Sequence, residues 1–254
     1  GFLAMNIGKR SLGLDIKSEK GKEILFALIK KSDVILHNFR AGVVDRLGLD
    51  YDSVRAINPS IVYTVISGFG AKGPRSADPA YDGAVQAAAG MMANNGTAES
   101  GPLRTGYMPV DLMTGMTAAY ATTAALLRKQ KTGKGQMVDV AMLDCAITLG
   151  SANFSRSEVD DIPDMLIGNQ SITSAPTASS FPTAEGSILT AAIMPKHVEA
   201  FFDELGLREM VNDPQFATPE ARIENKEIVR DAMIEALKSD TAENWEKRLA
   251  PRGV

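Results

Sequence analysis

Two hydrophobic periods alternate along the first 150 residues. The run IVYTVI (Ile61–Ile66) is continuous and β-branched, the pattern of a strand covered on both faces. Upstream, Asp33–Asn38 predicts a short buried strand, and KRSLGLDIK (Lys9–Lys17) alternates polar and apolar positions as a strand does. Between them Ser18 leads into a helix that places Ile24, Leu25, Leu28 and Ile29 at helical spacing and ends near Lys30 and Lys31. Phe39–Gly42 reads as a turn, followed by short helices over Val43–Leu47 and from Tyr51 to just before Asn58 and Pro59. Further on, an Ala-rich helix is predicted over Tyr81–Met92, a polar loop over Asn94–Pro102, and a small-residue helix from Thr114 to Arg128 that stops by Gly133. Gln136–Val140 is a strand running directly into a helix, Met142–Leu149. Strands alternating with helices predict an α/β fold of βαβ units around a largely parallel sheet.

The pattern then changes. Ser155–Ser180 is polar and aperiodic, carries Pro163 and Pro176, and reads as a linker or an active-site loop. Phe181–Gly186 and Ser187–Ala192 form a predicted hairpin. The remainder is helical over Pro195–Leu205, Pro219–Lys238 and Ala242–Leu249, with a turn at Asp213 and Pro214. These features divide the chain into a large α/β domain with its linker over 1–175 and a smaller α+β domain over 176–254.

Composition narrows the function classes. With 254 residues, 44% of them hydrophobic, the chain can build a full-sized core. A net charge of −4 gives no electrostatic footprint for nucleic acid. No window approaches the roughly 18 apolar residues of a membrane span. The lone Cys145 excludes an internal disulfide and points to a reducing, cytoplasmic setting; it reads as an inert core thiol. Two histidines, His37 and His197, with one cysteine are too few for a structural zinc site, and no metal is expected. His37 reads as a packed, hydrogen-bonded side chain and His197 as an exposed one.

Two stretches carry candidate chemistry. SGFGAKGP (Ser67–Pro74) contains a literal G-x-G-x-x-G, but Pro74 and Pro79 keep the chain irregular where the dinucleotide fingerprint needs a helix. Ala93 stands at the acidic position expected about 20 residues on. The stretch is therefore a loop at the carboxyl end of a strand, where open α/β sheets bind ligands, and not a nicotinamide site. The second stretch is GYMPVDLMTGM (Gly106–Met116), in which Asp111 precedes a long helix in the manner of an N-cap. A helix N-terminus would hold that carboxylate ionised and stabilise negative charge beside it. Most aspartates so placed only cap helices, so the pattern by itself favours capping.

Several stretches taken together resemble the class III CoA-transferases, the family that includes formyl-CoA transferase, carnitine CoA-transferase and the 2-methylacyl-CoA racemases. The matching pieces are KRSLGLDIK (Lys9–Lys17), Asn38–Phe39 with DRLG (Asp45–Gly48), Asn58–Pro59 before SGFG (Ser67–Gly70), and Tyr81–Asp82. DLMTG (Asp111–Gly115), TGKGQ (Thr132–Gln136) with VDV (Val138–Val140), FPTAEG (Phe181–Gly186) and DPQFA (Asp213–Ala217) follow in the same order. The resemblance implies a Rossmann-like large domain with a smaller α+β domain and two interlocked subunits in a homodimer. It implies transfer of coenzyme A from an acyl-CoA to a carboxylic acid, with Asp111 as the covalent catalytic residue and no permanently bound cofactor. Coenzyme A contacts carry over onto Leu14, Lys17, Asn38, Phe39, Arg40, Arg46 and Leu47, and onto Tyr81 and Asp82. Oxyanion donors would come from the helix start after Asp111 or from Gly68–Gly70. The family's first strand and its closing return to the large domain have no counterpart, which implies a chain truncated at both ends. Ser171–Ser179 lacks the glycine-rich loop of the formyl-CoA transferase type, an argument against oxalate and formate as substrates. Racemases of this fold use a histidine near the position of Tyr81–Met92; none is present, which places the racemase reading second, beside a non-catalytic CoA-binding or activator subunit.

Overall fold

A computed structural model describes residues 2–159 and 166–254. It divides into two compact units, Gly1–Ala93 with Leu103–Asp164, and Asn94–Pro102 with Met165–Val254.

The first unit opens with a single helical turn, α1 (Phe2–Met5), and the helix α2 (Glu19–Lys31). Ser18 caps α2, its Oγ accepting the Gly21 N–H at 3.1 Å, and Lys30 and Lys31 lie in the last turn, where cations favour the helix dipole. Strand β1 (Val34–His37), helices α3 (Val43–Leu47) and α4 (Tyr51–Ile57), strand β2 (Val62–Ser67) and helix α5 (Asp82–Ala88) follow. Residues 94–102, which belong with the second unit, form a minimal hairpin of β3 (Gly96–Thr97) and β4 (Gly101–Pro102) where the pattern predicts only a polar loop. The first unit resumes with the 24-residue helix α6 (Pro109–Thr132), strand β5 (Gln136–Ala141), and helices α7 (Met142–Leu149) and α8 (Ser151–Val159).

The sheet runs β1-β2-β5 and is parallel throughout, with Val34 opposite Val62 and Val62 opposite Gln136. Alternation along β2 explains how it is covered on both faces. Tyr63, with Ile61 just before the strand, packs with Ile29, Leu49 and Val54 on the side of α2 and α4, whereas Val62 packs with Ala118 and Ala125 of α6. Thr64 is fully buried and its hydroxyl is satisfied by Thr122 Oγ1 of α6 at 2.7 Å. Cys145 is buried in the same cluster as Val62, a core thiol as expected.

Three expectations fail here for identifiable reasons. Lys9–Lys17 forms no strand: none of the described strands pairs with it, and an alternating pattern without a hydrogen-bonding partner has no ladder to join. Its chain turns instead through Asp15, whose carboxylate accepts the Lys17 N–H and whose carbonyl accepts the Ser18 hydroxyl. β1 is an edge strand, so Leu36 is half exposed and the strand is not buried as its apolar run suggests. The polar stretch from Ser155 begins as the end of α8; residues 160–165 of that stretch lie outside the described residues.

The second unit pairs β6 (Ser180–Pro182) with β7 (Ser187–Leu189), an antiparallel hairpin, and continues with α9 (Pro195–Glu204), α10 (Glu209–Asn212), α11 (Pro219–Glu224), α12 (Lys226–Leu237) and α13 (Ala242–Leu249). Its core gathers Phe181, Phe201, Phe202, Met233, Leu237 and Trp245, and Trp245 donates its indole N–H to the Leu237 carbonyl at 2.9 Å. The single helix predicted over Pro219–Lys238 is broken at Asn225, whose side-chain amide donates to the carbonyls of Ala221 and Gln215. An Asn that hydrogen-bonds backbone in this way competes with helix continuation.

Candidate active site

The carboxyl ends of β1 and β2 and the start of α7 converge on a groove of about 240 Å³. The turn after β1 contributes Asn38, Phe39, Arg40 and Ala41; the end of β2 contributes Ile66, Ser67 and Gly68; the loop before α5 contributes Ser76–Tyr81; Met142 closes one side. The loop is fixed by close approach. A Cβ at Gly68 would lie 2.2 Å from the Ala80 Cβ, so only glycine lets the strand end and the loop meet. Gly68 also accepts the Leu143 N–H at 3.0 Å, which ties the start of α7 to the groove floor. Arg75 lies 3.8 Å above the Phe69 ring and donates to Asp78 at 2.9 Å, bracing the outer wall.

Of the residues expected to contact a CoA, Asn38, Phe39, Arg40 and Tyr81 line this groove together. Phe39 and Tyr81 are respectively 46% and 78% exposed, large aromatic faces left open to a planar ligand. Arg46 does not line it, but a Cβ on Gly42 would sit 3.4 Å from Arg46 Nη1, so the guanidinium lies back against the turn that forms one wall. Leu47 packs with the Ile29 cluster, Leu14 is partly buried and Lys17 exposed, all three outside the lining of this groove. Asp82 is 5% exposed and turned inward. Patterning alone does not single out Ser76, Asp78 or Met142, because only the fold brings these residues to the strand end at Ser67.

The groove turn is held from behind by His37. Its Nδ1 accepts the Phe39 N–H at 3.2 Å, and its Nε2 lies 3.0 Å from the Tyr63 hydroxyl, 26 residues away in sequence. Tyr63 in turn donates to the Leu49 carbonyl at 2.6 Å. Tyr63 is 1% exposed, and burial, with the negative charges of Asp50 and Asp45, pushes its phenol up to about 12. A phenol raised in this way contributes stability that is complete below its unfolded value and is lost as pH rises through the folded one. Between about pH 10 and 12, wild type should therefore lose roughly 2 kcal/mol of unfolding free energy that Tyr63→Phe does not, read from urea titrations across that range. Parallel curves for the two proteins would refute it.

Asp111 stands differently from an N-cap. Pro109 occupies the first position of α6, Met108 is the cap residue, and Asp111 is the third residue of the helix. The cap comes from α5. Asp82 Oδ2 accepts both the Val110 N–H at 2.9 Å and the Asp111 N–H at 3.0 Å. Its other oxygen accepts Gln86 Nε2 at 2.5 Å, and Gln86 holds Thr105 through two bonds, Nε2 to Oγ1 at 2.9 Å and Thr105 N–H to Oε1 at 3.0 Å. Thr105 then donates to the Tyr107 carbonyl at 2.9 Å, so one polar chain, buried at Asp82 and Gln86, fixes both the helix start and the segment leading into it. The Asp111 carboxylate itself is exposed and accepts no hydrogen bond among the described residues. Partial burial, reinforced by the charge of Asp82, raises its pKa, opposite to the ionising effect expected from the helix N-terminus. The first-turn amides that would stabilise it are spent on Asp82. Of the amides expected as oxyanion donors, the Leu112 N–H bonds the Met108 carbonyl and the Gly70 N–H bonds Ser67 Oγ. No cluster of metal-ligating side chains occurs among the described residues, and no described helix is long and apolar enough to cross a membrane.

Comparison with known proteins places the chain in a family. The family model "CoA-transferase family III" matches residues 1–254. A formyl-CoA:oxalate CoA-transferase of Streptomyces coelicolor is 35% identical over 237 residues, 87% of this chain and 58% of that protein. A succinate–glutarate CoA-transferase of Agrobacterium fabrum is 31% identical over 248 residues, 97% of this chain and 60% of that protein. The crystal structure of Rv3272 from Mycobacterium tuberculosis superposes with a TM-score of 0.86 at 31% identity, covering 98% of this chain and 66% of that one. A CAIB/BAIF family protein from Brucella suis gives 0.85 at 29% identity, with 97% and 65% covered. The chain thus spans about three fifths of the length of these curated relatives. With the groove at the strand ends, the buried brace behind Asp111 and a match along its whole length, this chain belongs to CoA-transferase family III.

Proposed function

We propose that the protein transfers coenzyme A from an acyl-CoA thioester to a carboxylic acid through covalent intermediates on Asp111, with coenzyme A seated in the groove of Asn38, Phe39, Arg40 and Tyr81. The observation that carries the reading is a carboxylate without a hydrogen-bond partner among the described residues, on a backbone tied to the groove through one residue: Asp82 accepts the Asp111 amide, and its chain neighbour Tyr81 forms groove wall. The family membership supports the reaction class.

In this scheme the Asp111 carboxylate attacks the thioester carbonyl carbon. The C–S bond breaks, CoA leaves as thiolate, and a mixed anhydride remains on Asp111. The thiolate attacks the Asp111 carbonyl of the anhydride and releases the donor acid, leaving an aspartyl-CoA thioester. The acceptor carboxylate attacks that thioester to give a second anhydride, and the returning thiolate takes the acceptor acyl group, freeing Asp111. A carboxylate of raised pKa is the better nucleophile and remains reactive as an anhydride. Arg40 and Arg46 would face CoA phosphates, and Phe39 or Tyr81 the adenine. The partners are an acyl-CoA, a carboxylic acid and, on the family pattern, a second copy of the chain.

The test is chemical capture. The protein is incubated with a panel of formyl-, acetyl- and succinyl-CoA, quenched with hydroxylamine, and digested for mass spectrometry. A hydroxamate on Asp111 that depends on the acyl-CoA is the expected result. Exchange of α-deuterium with Asp111 unmodified would replace the transferase reading with a racemase; binding of CoA with neither would leave a binding subunit.

A further inference from the structure

Directional hydrogen bonds fix the state of His37. A carbonyl can only accept, so the Tyr63 proton points at Leu49, and the phenol oxygen can only accept from His37. The imidazole proton is therefore on Nε2, which leaves the Nδ1 lone pair to accept the Phe39 N–H. One polarised chain runs from the Phe39 amide through His37 and Tyr63 to the Leu49 carbonyl between α3 and α4. The Phe39 ring stacks on the same imidazole, with centroids 5.7 Å apart and planes 28° from parallel. Both the Phe39 amide and the Phe39 ring thus rest on one neutral histidine.

We propose that His37 is a positioning residue for the groove: its neutral, Nε2-protonated ring sets the Asn38–Ala41 wall, and protonation of Nδ1 releases that wall and weakens ligand binding. A proton on Nδ1 would face the Phe39 N–H, two donors 3.2 Å apart, so the turn must move or the ring must leave. The groups around the ring are Phe39 on its own turn and Tyr63 on β2, behind which lie Tyr51 of α4 and the carboxylates of Asp45 and Asp50 acting on Tyr63. Burial lowers the histidine below its ordinary value, which keeps the ring neutral at neutral pH and sets the release on the acid side. The proposal rests on reading the groove as the coenzyme A site.

The test uses ring-nitrogen and amide NMR on the whole protein, with coenzyme A as the probe. The chain has only two histidines, so a His197→Asn variant assigns the signals. The expected result is a neutral Nε2–H tautomer at pH 7.5, with the Phe39 amide titrating at the His37 midpoint, below 6.5. In calorimetry, affinity for coenzyme A should fall about fivefold more in wild type than in His37→Gln between pH 7.5 and 5.5, the loss of one hydrogen bond. The variant serves as reference because a phosphate of the ligand titrates at about pH 6. A Phe39 amide indifferent to His37 titration, or an identical loss in His37→Gln, would overturn the proposal alone. Absence of coenzyme A binding at pH 7.5 would overturn it together with the reading of the groove. The NMR arm needs only wild type and the surface variant, so a His37→Gln protein that fails to fold does not remove the decision.

Discussion

In Asp111→Asn, hydroxylamine captures nothing on the first turn of α6, and CoA transfer falls by on the order of 10⁴-fold, as when a covalent nucleophile is removed. The amide is nearly the same size and keeps the backbone N–H that Asp82 holds, so the helix start is unchanged. It removes only the attacking oxygen and the negative charge. Because that charge faces the charge of Asp82, the variant should be at least as stable as wild type in urea. Loss of activity with stability kept is the signature of a group retained for chemistry at a cost to the fold. An Asn variant that still exchanges CoA at a comparable rate would remove Asp111 from the mechanism. The pH dependence has a defined sign. Asp111 must be ionised to attack, and its pKa is raised, so the acid limb of the capture reaction lies above the ordinary aspartate range. In stability terms the neutral form is favoured: this contribution is complete below the ordinary carboxylate value and is lost as pH rises through the folded one.

The second large effect is structural. Asp82→Ala strands the Val110 and Asp111 amides and one Gln86 donor, and we expect a loss of about 3 kcal/mol, from buried donors at about 1–3 kcal/mol each with water entering to offset part. The readout is the urea midpoint at unchanged slope. Asp82→Asn is the informative companion. Its oxygen can still accept both helix amides, whereas its amide nitrogen opposes the Gln86 nitrogen, so the loss should be smaller. It also deletes the charge beside Asp111, so the acid limb of capture at Asp111 should move to lower pH. An unshifted limb in a folded Asp82→Asn protein would mean that Asp82 acts on Asp111 only through the backbone.

Much of this molecule was readable along the chain where the determinant is local. The β-branched run at Ile61–Ile66 became the central strand, Val43–Leu47 and Met142–Leu149 became helices with those bounds, and the irregular Ser67–Pro74 loop did not open a helix. The errors arise where the deciding partner is distant. Lys9–Lys17 has strand periodicity but no neighbouring strand; the helix over Pro219–Lys238 is interrupted because Asn225 reaches Gln215. The site divides in the same way. Asn38, Phe39 and Arg40 share one turn and so enter the groove lining together, and Tyr81 joins them only through folding. Asp111 stands out by its position before a helix, but the capping role that position suggests belongs to the Asp82 carboxylate, 29 residues upstream. Nothing in the spacing of a Tyr-Asp pair distinguishes a ligand contact from a helix cap. The partnership of His37 with Tyr63 is equally invisible before the strands are laid side by side.

That remote cap also bears on whether the proposed nucleophile can be moved to another scaffold. The segment Gly106–Gly133 looks self-contained, with a proline at its helical start and a glycine at its end. Excised, it would begin at Met108 with no side chain to receive its first amides, and its opening turn would unravel around Asp111. The smallest portable unit is discontinuous: Asp82 and Gln86 on one helix, Thr105 on the approach, and the first turn of the next helix. Grafting Asp111 with its own helix alone would carry over the carboxylate and leave behind what holds its backbone.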